Sequence, residues 1–197
     1  MKAVLLLLAA ACTLAASAQA PAPSSIFLVA KGELSDPNFR QAVVLVAQGL
    51  AAGPIGVVIN RPTDVGLADA LPNVKGIEKV RDKLFSGGPV GRNVVVFLFR
   101  SAEPRKDSVA VMEDVHLSFD SDLLAELIAR DKPMEGLRVF AGHAGWAPGQ
   151  LEAEVARGLW SAAKPDARSI FESKPETLWL ELTRRAASIT ARAAAHP

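Results

Sequence analysis

The chain has 197 residues, of which 50% are hydrophobic, and it carries 22 Lys and Arg against 21 Asp and Glu. The single cysteine, Cys12, and one lysine, Lys2, lie in the first twenty residues, so the other 177 residues hold 21 basic and 21 acidic side chains. This composition excludes a disulfide scaffold, a cysteine-based zinc site and a disordered chain. Zero net charge argues against a dedicated nucleic-acid binder, because neutralising phosphates requires surplus Lys and Arg.

The first twenty residues predict a signal peptide. Lys2 supplies a positive charge, Val4–Ala11 is an uninterrupted apolar run, and Ala18–Ala20 is an A-x-A cleavage site. The apolar run is too short for a membrane span, which takes about 20 residues. A lipoprotein site at Cys12 is the less favoured alternative. We therefore expect a periplasmic or secreted protein without a membrane span, whose mature chain starts near Pro21 and forms one domain.

Runs of β-branched and apolar residues, broken by turn residues, predict the strands of the mature chain. In chain order they are Ile26–Ala30, Ala42–Ala47, Ile55–Ile59, Asn93–Phe99 and Ser108–Met112. Pro62 ends the third strand, because proline cannot donate to the hydrogen-bond ladder. A short helix is expected at Gly66–Leu71, followed by a polar loop over Pro72–Lys83.

Three further helices follow from apolar residues at helical spacing. They are Asp120–Arg130, capped by Asp120 or Ser121, then Gln150–Leu159, and a last helix that opens with the capping box Ser173–Glu176 and buries Leu178 and Leu182. Beyond Ala186 the chain is rich in alanine, and we expect residues 191–197 to fray. Hairpin-like strands followed by helices indicate an α+β fold and not a βαβ alternation.

The common catalytic motifs are missing from the sequence. It contains no phosphate-binding glycine loop, no dinucleotide fingerprint and no G-x-S-x-G elbow. The three histidines, His116, His143 and His196, lack the spacing of metal ligands. No metal and no cofactor is therefore expected. A trio of Ser118, His143 and Asp36 is no more than any chain of this length offers.

The densest stretch of the sequence is Gly142–Glu154, in which small residues surround the indole of Trp146. Gln150 and Glu154 are four residues apart and share one helix face, whereas Glu152 points away from Glu154. Two interpretations stay open. Trp146 could be the platform of a small-ligand or peptide site, or it could plug the core at a structural corner, which is the favoured interpretation.

The sequence resembles the YqgE/AlgH family from about Ile26 to Leu182. The matching elements, in order, are Asp36–Phe39, Gly56–Pro62, Gly87–Val90, Ser118 with the helix after it, Gly142–Glu154, and the tryptophans Trp160 and Trp179. The G-x-A-G-W-x-x-G-Q-L-E-x-E element is the most specific of these. The resemblance implies a single α+β domain, over residues 21–190, with a distorted, barrel-like mixed β-sheet and flanking helices.

What the resemblance implies about function is modest. No enzymatic activity is established for the family, and some members are labelled transcriptional regulators on genetic grounds. This sequence departs from the family pattern at His143, where tyrosine is usual, and at Phe99-Arg100, where Leu-His is usual. Most members also lack an export signal. An exported protein cannot regulate transcription by touching DNA, so this departure weighs most.

Two classes of function remain after these exclusions. The first is a non-catalytic binding or regulatory module of the cell envelope, with a small anion or a protein as partner. Its candidate ligand-binding residues are Asp36, Asn60, Arg61, His143, Trp146 and Gln150, and Arg61 would bind a carboxylate or phosphate. The alternative is an enzyme of the hydrolase type, which needs His143 beside an acid and a nucleophile. Direct regulation of transcription is the least favoured class.

Overall fold

The computed structural model describes residues 25–47 and 53–194, so the expected signal peptide lies outside the described residues. Ten strands occur in the described part. They are β1 Ser25–Ala30, β2 Val43–Ala47, β3 Ile55–Val58, β4 Pro62–Gly66, β5 Lys83–Ser86, β6 Val90–Arg100, β7 Ser108–Met112, β8 Val115–Ser118, β9 Leu137–Gly145 and β10 Trp160–Ala163.

Five α-helices and one short 3₁₀ helix, Ile77–Lys79, accompany these strands in the same part of the chain. The α-helices are α1 Leu67–Ala70, α2 Ser121–Ile128, α3 Gln150–Ala156, α4 Ala167–Phe171 and α5 Pro175–Ala194. None of the described helices is both long and apolar enough to cross a membrane.

The strands form one curled sheet in the order β10-β1-β2-β3-β9-β6-β8-β7. β4 pairs antiparallel with β5, and β5 joins β9 in a parallel pair through Phe85 and Phe140. β9 therefore has three neighbours, β3, β5 and β6, and lies at the centre of the architecture. The expectation of a single α+β domain with a barrel-like mixed sheet and flanking helices is confirmed.

All five residues of β2 are buried, because both faces of the strand are covered by apolar clusters. Val43, Leu45 and Ala47 point into the apolar cluster that also contains residues of α4 and α5. Val44 and Val46 point to the opposite face, into a cluster that contains Trp146 and Trp160. A strand covered on both faces needs a continuous apolar sequence, since successive side chains point to opposite sides.

The two longer predicted helices form as their apolar spacing indicates. α2 begins after Asp120, whose side chain accepts a hydrogen bond from the backbone N of Leu123 at 2.7 Å, so the predicted cap is confirmed. In α5, Leu178 and Leu182 are buried in the core. The helix continues past Ala186 to Ala194, because alanine is the strongest helix former. Residues 195–197 lie outside the described residues.

Six strands and helices are absent from the predictions: β4, β5, β8, β9, β10 and α4. Pro62 was expected to end β3, and it also begins β4, where a first strand residue does not need to donate. The expected loop over Pro72–Lys83 includes the 3₁₀ helix and the first residue of β5. Apart from β9 these segments are short and carry weak local signals. Pairing with distant strands determines their conformation, and β9 itself pairs with β3, β5 and β6.

Candidate functional site

The turn at residues 36–41 organises one half of the site. Asp36 Oδ1 accepts hydrogen bonds from the backbone N of Asn38 at 2.8 Å and from Asn38 Nδ2 at 3.0 Å. This is an Asx turn, with Pro37 fixing the backbone between the two residues. It exposes the carbonyl oxygens of Asn38 and Arg40 to the side chain of Arg61.

Asn60, two residues after the end of β3, links this turn to β2. Its Oδ1 accepts from the backbone N of Val43 at 2.8 Å, and its Nδ2 donates to the carbonyl O of Gln41 at 2.9 Å. Gln41 has a φ of 53°, a left-handed conformation that costs a non-glycine residue about 1 kcal/mol. The amide of Asn60 thus holds a strained backbone in place and is occupied within the protein.

Arg61 is oriented by the same turn. Its Nη1 donates to the carbonyl O of Asn38, and its Nη2 donates to that of Arg40 at 2.9 Å. Burial lowers the pKa of Arg61 below its ordinary value, and the negative charge of Asp36 opposes this effect. Among the described residues Arg61 forms no ion pair with Asp36 or any other carboxylate. Its charge is therefore oriented but not neutralised by a partner.

A groove of about 200 Å³ opens beside Arg61. Arg92 lies on the same groove and donates from Nη2 to Asn38 Oδ1 at 3.2 Å. Ser86 also lines the groove, and its hydroxyl makes no hydrogen bond to any described residue. The lining contains no carboxylate; its residues are Asn38, Arg61, Thr63, Ser86, Gly88, Pro89, Arg92 and Ala141. Two guanidinium groups and an unused hydroxyl make the groove suited to an anion.

The second half of the candidate set surrounds Glu154 on α3. Glu154 Oε2 accepts from the indole Nε1 of Trp146 at 3.1 Å and from that of Trp160 at 2.9 Å. Its Oε1 accepts from Gln150 Nε2 at 2.9 Å, so the predicted shared face of Gln150 and Glu154 is confirmed. Gln150 Oε1 in turn accepts from the backbone N of Ala147 at 3.1 Å.

Competing effects set the charge state of Glu154. Burial by itself would raise its pKa. Hydrogen bonds from Trp160, Gln150 and Trp146, together with the charge of Arg157, outweigh burial and hold the pKa of Glu154 below its ordinary 4.5. The carboxylate therefore stays ionised and acts as a fixed acceptor that joins two tryptophans.

Trp146 is a core residue and not an open platform. Its side chain is only 7% exposed, and its ring stacks on Phe39 with centroids 6.3 Å apart and planes at 21°. Phe39 also meets Trp160 edge-on at 5.7 Å. Trp146 therefore shares no exposed cleft with Asn60 and Arg61, because Phe39, from the turn that contacts Arg61, covers the indole.

Within the described residues, no hydrogen bond or ring contact joins the side chain of His143 to either group. Its ring meets the edge of Phe119 at a centroid distance of 6.1 Å, and its buried Nδ1 has no hydrogen-bond partner in the described part of the chain. Neither an acid nor a nucleophile is within hydrogen-bond reach among those residues. Ser118, the serine of the notional trio, donates instead to the carbonyl O of Asp107 at 2.6 Å.

Glycines bring two backbones into contact next to the groove. A Cβ at Gly88 would lie 2.3 Å from the carbonyl C of His143, and a Cβ at Gly142 would lie 2.7 Å from the O of Gly88. Gly142 also has a φ of 70°, which favours glycine. Gly87 and Gly88 thus allow close packing of the segment after β5 against β9.

The candidate residues therefore fall into three sets. Asp36, Asn60 and Arg61 come together at the turn, Trp146 and Gln150 belong to the Glu154 network, and His143 is separate. Sequence reasoning missed Ser86 and Arg92. Ser86 approaches Arg61 through the β4–β5 pairing. Arg92 lies on β6 and approaches Arg61 through the pairings of β6 and β5 with β9, which no local pattern predicts.

The structure is a curled-sheet α+β domain with an arginine-lined groove beside a tryptophan–carboxylate network. The chain that forms it matches a known protein family. The family model described as DUF179, AlgH-like, matches residues 27–190. The chain belongs to this AlgH-like family. The YqgE/AlgH resemblance of the sequence is confirmed.

Relatives from several bacteria are similar over most of their length. A UPF0301 protein of Streptomyces avermitilis is 35% identical over 86% of this chain and 90% of its own. A UPF0301 protein of Rhodococcus jostii is 33% identical over 89% and 88%. The solution structure of the AlgH protein from Pseudomonas aeruginosa is similar with a TM-score of 0.68 and 28% identity, covering 87% of this chain and 92% of that one.

Proposed function

We propose that this protein is a non-catalytic binding module, exported to the cell envelope, that holds a small anion in the groove between Arg61 and Arg92. A carboxylate or a phosphate is the ligand chemistry that two guanidinium groups recognise. The observation that carries the proposal is the composition of the groove, where both arginines and the unused Ser86 hydroxyl meet without any carboxylate. A volume of about 200 Å³ suits a small ion better than a large organic ligand.

The orientation of Arg61 favours binding over a purely structural role. Two of its N–H groups are held by the carbonyls of Asn38 and Arg40, which leaves the remaining donors of a planar fork for a ligand. A side chain that is already ordered loses little entropy when a ligand binds. The lowered pKa of Arg61 also favours anion binding. It reflects partial desolvation, and a partly desolvated cation gains more from an anionic partner than a solvated one does.

Export rests on the first twenty residues. Lys2, the apolar run Val4–Ala11 and the site at Ala18–Ala20 support a cleaved signal peptide. Cell fractionation with N-terminal sequencing tests this part. We expect a mature chain that starts near Pro21 in the periplasm or medium, whereas an uncleaved cytoplasmic product would contradict export and leave the groove proposal untouched.

Calorimetric titration with phosphate and with succinate at low salt tests the groove. Replacing Arg92 with Ala should weaken binding about tenfold, since one charge-assisted hydrogen bond contributes about 1.5 kcal/mol. Arg184→Ala is the matched control, because Arg184 is exposed on α5 and does not line the groove. Binding that Arg92→Ala and Arg184→Ala weaken equally, or no saturable binding of either anion, would overturn the proposal.

A further inference from the structure

A second groove also includes Arg61 in its lining. It measures about 340 Å³, and Arg40 joins Arg61 in lining it from the turn before β2 and the segment after β3. The first turns of α5 contribute Glu176, Trp179 and Leu180. These three residues are three and four positions apart, so they share one face of the helix. The groove therefore combines two arginines from one part of the chain with a carboxylate and apolar side chains from another.

Trp179 and Leu180 form an apolar surface in this groove. The indole Nε1 of Trp179 donates to the carbonyl O of Ala30 at 2.8 Å, and its ring packs against the core. This hydrogen bond uses the only polar atom of the side chain, so the indole offers an apolar surface to the groove. Leu180 beside it is 47% exposed. A ring held in place next to an exposed leucine can bury an apolar group of a ligand.

Unpaired charges of both signs line the same groove. Arg40 and Glu176 are exposed, and neither side chain makes a hydrogen bond or an ion pair with any described residue. Arg61 donates only to backbone carbonyls, those of Asn38 and Arg40. The arginines attract a simple anion, but Glu176 repels it. A ligand that carries a positive and a negative charge satisfies both sides of the groove.

We propose that this groove binds a free α-amino acid with an apolar side chain. The carboxylate of the ligand pairs with Arg40 and Arg61, its ammonium group pairs with Glu176, and its side chain packs on Trp179 and Leu180. A free amino acid carries both charges on one carbon atom, whereas a residue within a peptide has lost them to amide bonds. A volume of about 340 Å³ lies at the lower end of the range for ligand pockets, which suits so small a ligand.

This amino-acid groove is a different site from the Arg61–Arg92 groove. Arg61 is the one residue that lines both. Arg40 and Glu176 line only the amino-acid groove, and Arg92 lines only the other. The inference therefore does not depend on the binding of a small anion between Arg61 and Arg92.

An NMR titration with L-leucine, followed at the indole N–H signals of the three tryptophans of the wild-type protein, tests this proposal. We expect a saturable shift of the Trp179 signal. The signals of Trp146 and Trp160 should stay in place, because both indoles are bonded to Glu154 and do not line this groove.

Two derivatives of the ligand test the two charges separately. N-acetyl-leucine lacks the ammonium group, and leucine methyl ester lacks the carboxylate. Each should bind about tenfold more weakly than leucine, because each loses a charge-assisted contact. Glycine keeps both charges but lacks the apolar side chain, so it should also bind more weakly than leucine.

A substitution in the protein tests the assigned partner of the ammonium group. Glu176→Gln should weaken the binding of leucine about tenfold and leave that of N-acetyl-leucine unchanged. Glu172→Gln is the matched control, since Glu172 is exposed, precedes α5 and does not line the groove. Three results would each overturn the proposal: no saturable shift at Trp179, equal binding of leucine and N-acetyl-leucine, or equal effects of the two substitutions. Saturable binding of phosphate between Arg61 and Arg92 would stand in all three cases, so the two sites can fail independently.

Discussion

Glu154 Oε2 accepts a hydrogen bond from the indole Nε1 of Trp146 at 3.1 Å. The same oxygen accepts from Trp160 at 2.9 Å, so one carboxylate orients both rings. Phe39 packs on both of these rings and belongs to the turn whose carbonyls hold Arg61. The tryptophan network thus supports, from within the core, the turn that shapes the groove.

Removing this carboxylate should destabilise the fold. Glu154→Ala leaves two buried indole N–H groups without their acceptor, and we expect a loss of about 2 kcal/mol in the free energy of unfolding. Urea denaturation measures it. Glu152→Ala is the control, since Glu152 is exposed on the same helix and makes no hydrogen bond within the described residues. Equal stability of the two variants would contradict a structural role for Glu154.

The ionised state of Glu154 predicts a dependence of stability on pH. Its pKa is lower in the fold than in the unfolded chain, so the unfolded chain takes up the proton first as the pH falls. The stabilisation is complete above the ordinary pKa of 4.5 and disappears as the pH falls through the lowered value. Urea denaturation of wild type and Glu154→Gln from neutral to acidic pH should show a difference that shrinks below 4.5. A difference independent of pH would contradict the assignment.

The two glycines of the Gly142–Gly145 segment should respond differently to substitution. Gly142→Ala places a methyl group 2.7 Å from a backbone oxygen at a φ of 70°, and we expect a loss of about 3 kcal/mol or more. A Cβ at Gly145 meets nothing within 4 Å, so Gly145→Ala should change stability by less than about 0.5 kcal/mol. Thermal unfolding of both variants tests this contrast, and similar losses would contradict the crossing of β9 with the Gly87-Gly88 segment.

The left-handed backbone at Gln41 predicts a preference for glycine. Gln41→Gly should be more stable than Gln41→Ala by about 1 kcal/mol, because only glycine adopts this conformation without strain. The side chain of Gln41 is exposed, so the two variants differ mainly in backbone freedom. Chemical denaturation compares them directly. Alanine at least as stable as glycine would indicate that Asn60 does not hold Gln41 in this conformation.

Local patterns were sufficient for part of the fold. β1, β2 and β3 are apolar runs whose burial on both faces follows from composition alone. The cap of α2 follows from an aspartate before a helical stripe. β4 and β10 could not be found in this way, since Pro62–Gly66 is largely exposed and Trp160–Ala163 has only four residues. Their strand conformation depends on partners distant in sequence.

The candidate site, like the fold, was only partly predictable from local sequence patterns. Asn60 and Arg61 were recognised from a motif at the end of a strand, and the structure brings them to the Asp36 turn. Ser86 and Arg92 were missed, because their approach to Arg61 requires pairings between separate strands: β4 with β5 for Ser86, and β5 and β6 with β9 for Arg92. The sequence leaves two interpretations of Trp146 open, a ligand platform and a core residue. Its burial and its hydrogen bond to Glu154 favour the core residue.

The central claim is that the Arg61–Arg92 groove binds a small anion. Backbone amide chemical shifts of the wild-type protein, recorded by NMR during titration with phosphate and then succinate, test it most directly. We predict saturable shifts confined to the groove, at Asn38, Ser86, Gly88 and Arg92, that Arg92→Ala weakens. Shifts that rise linearly without saturation, or that map away from these residues, would contradict the account.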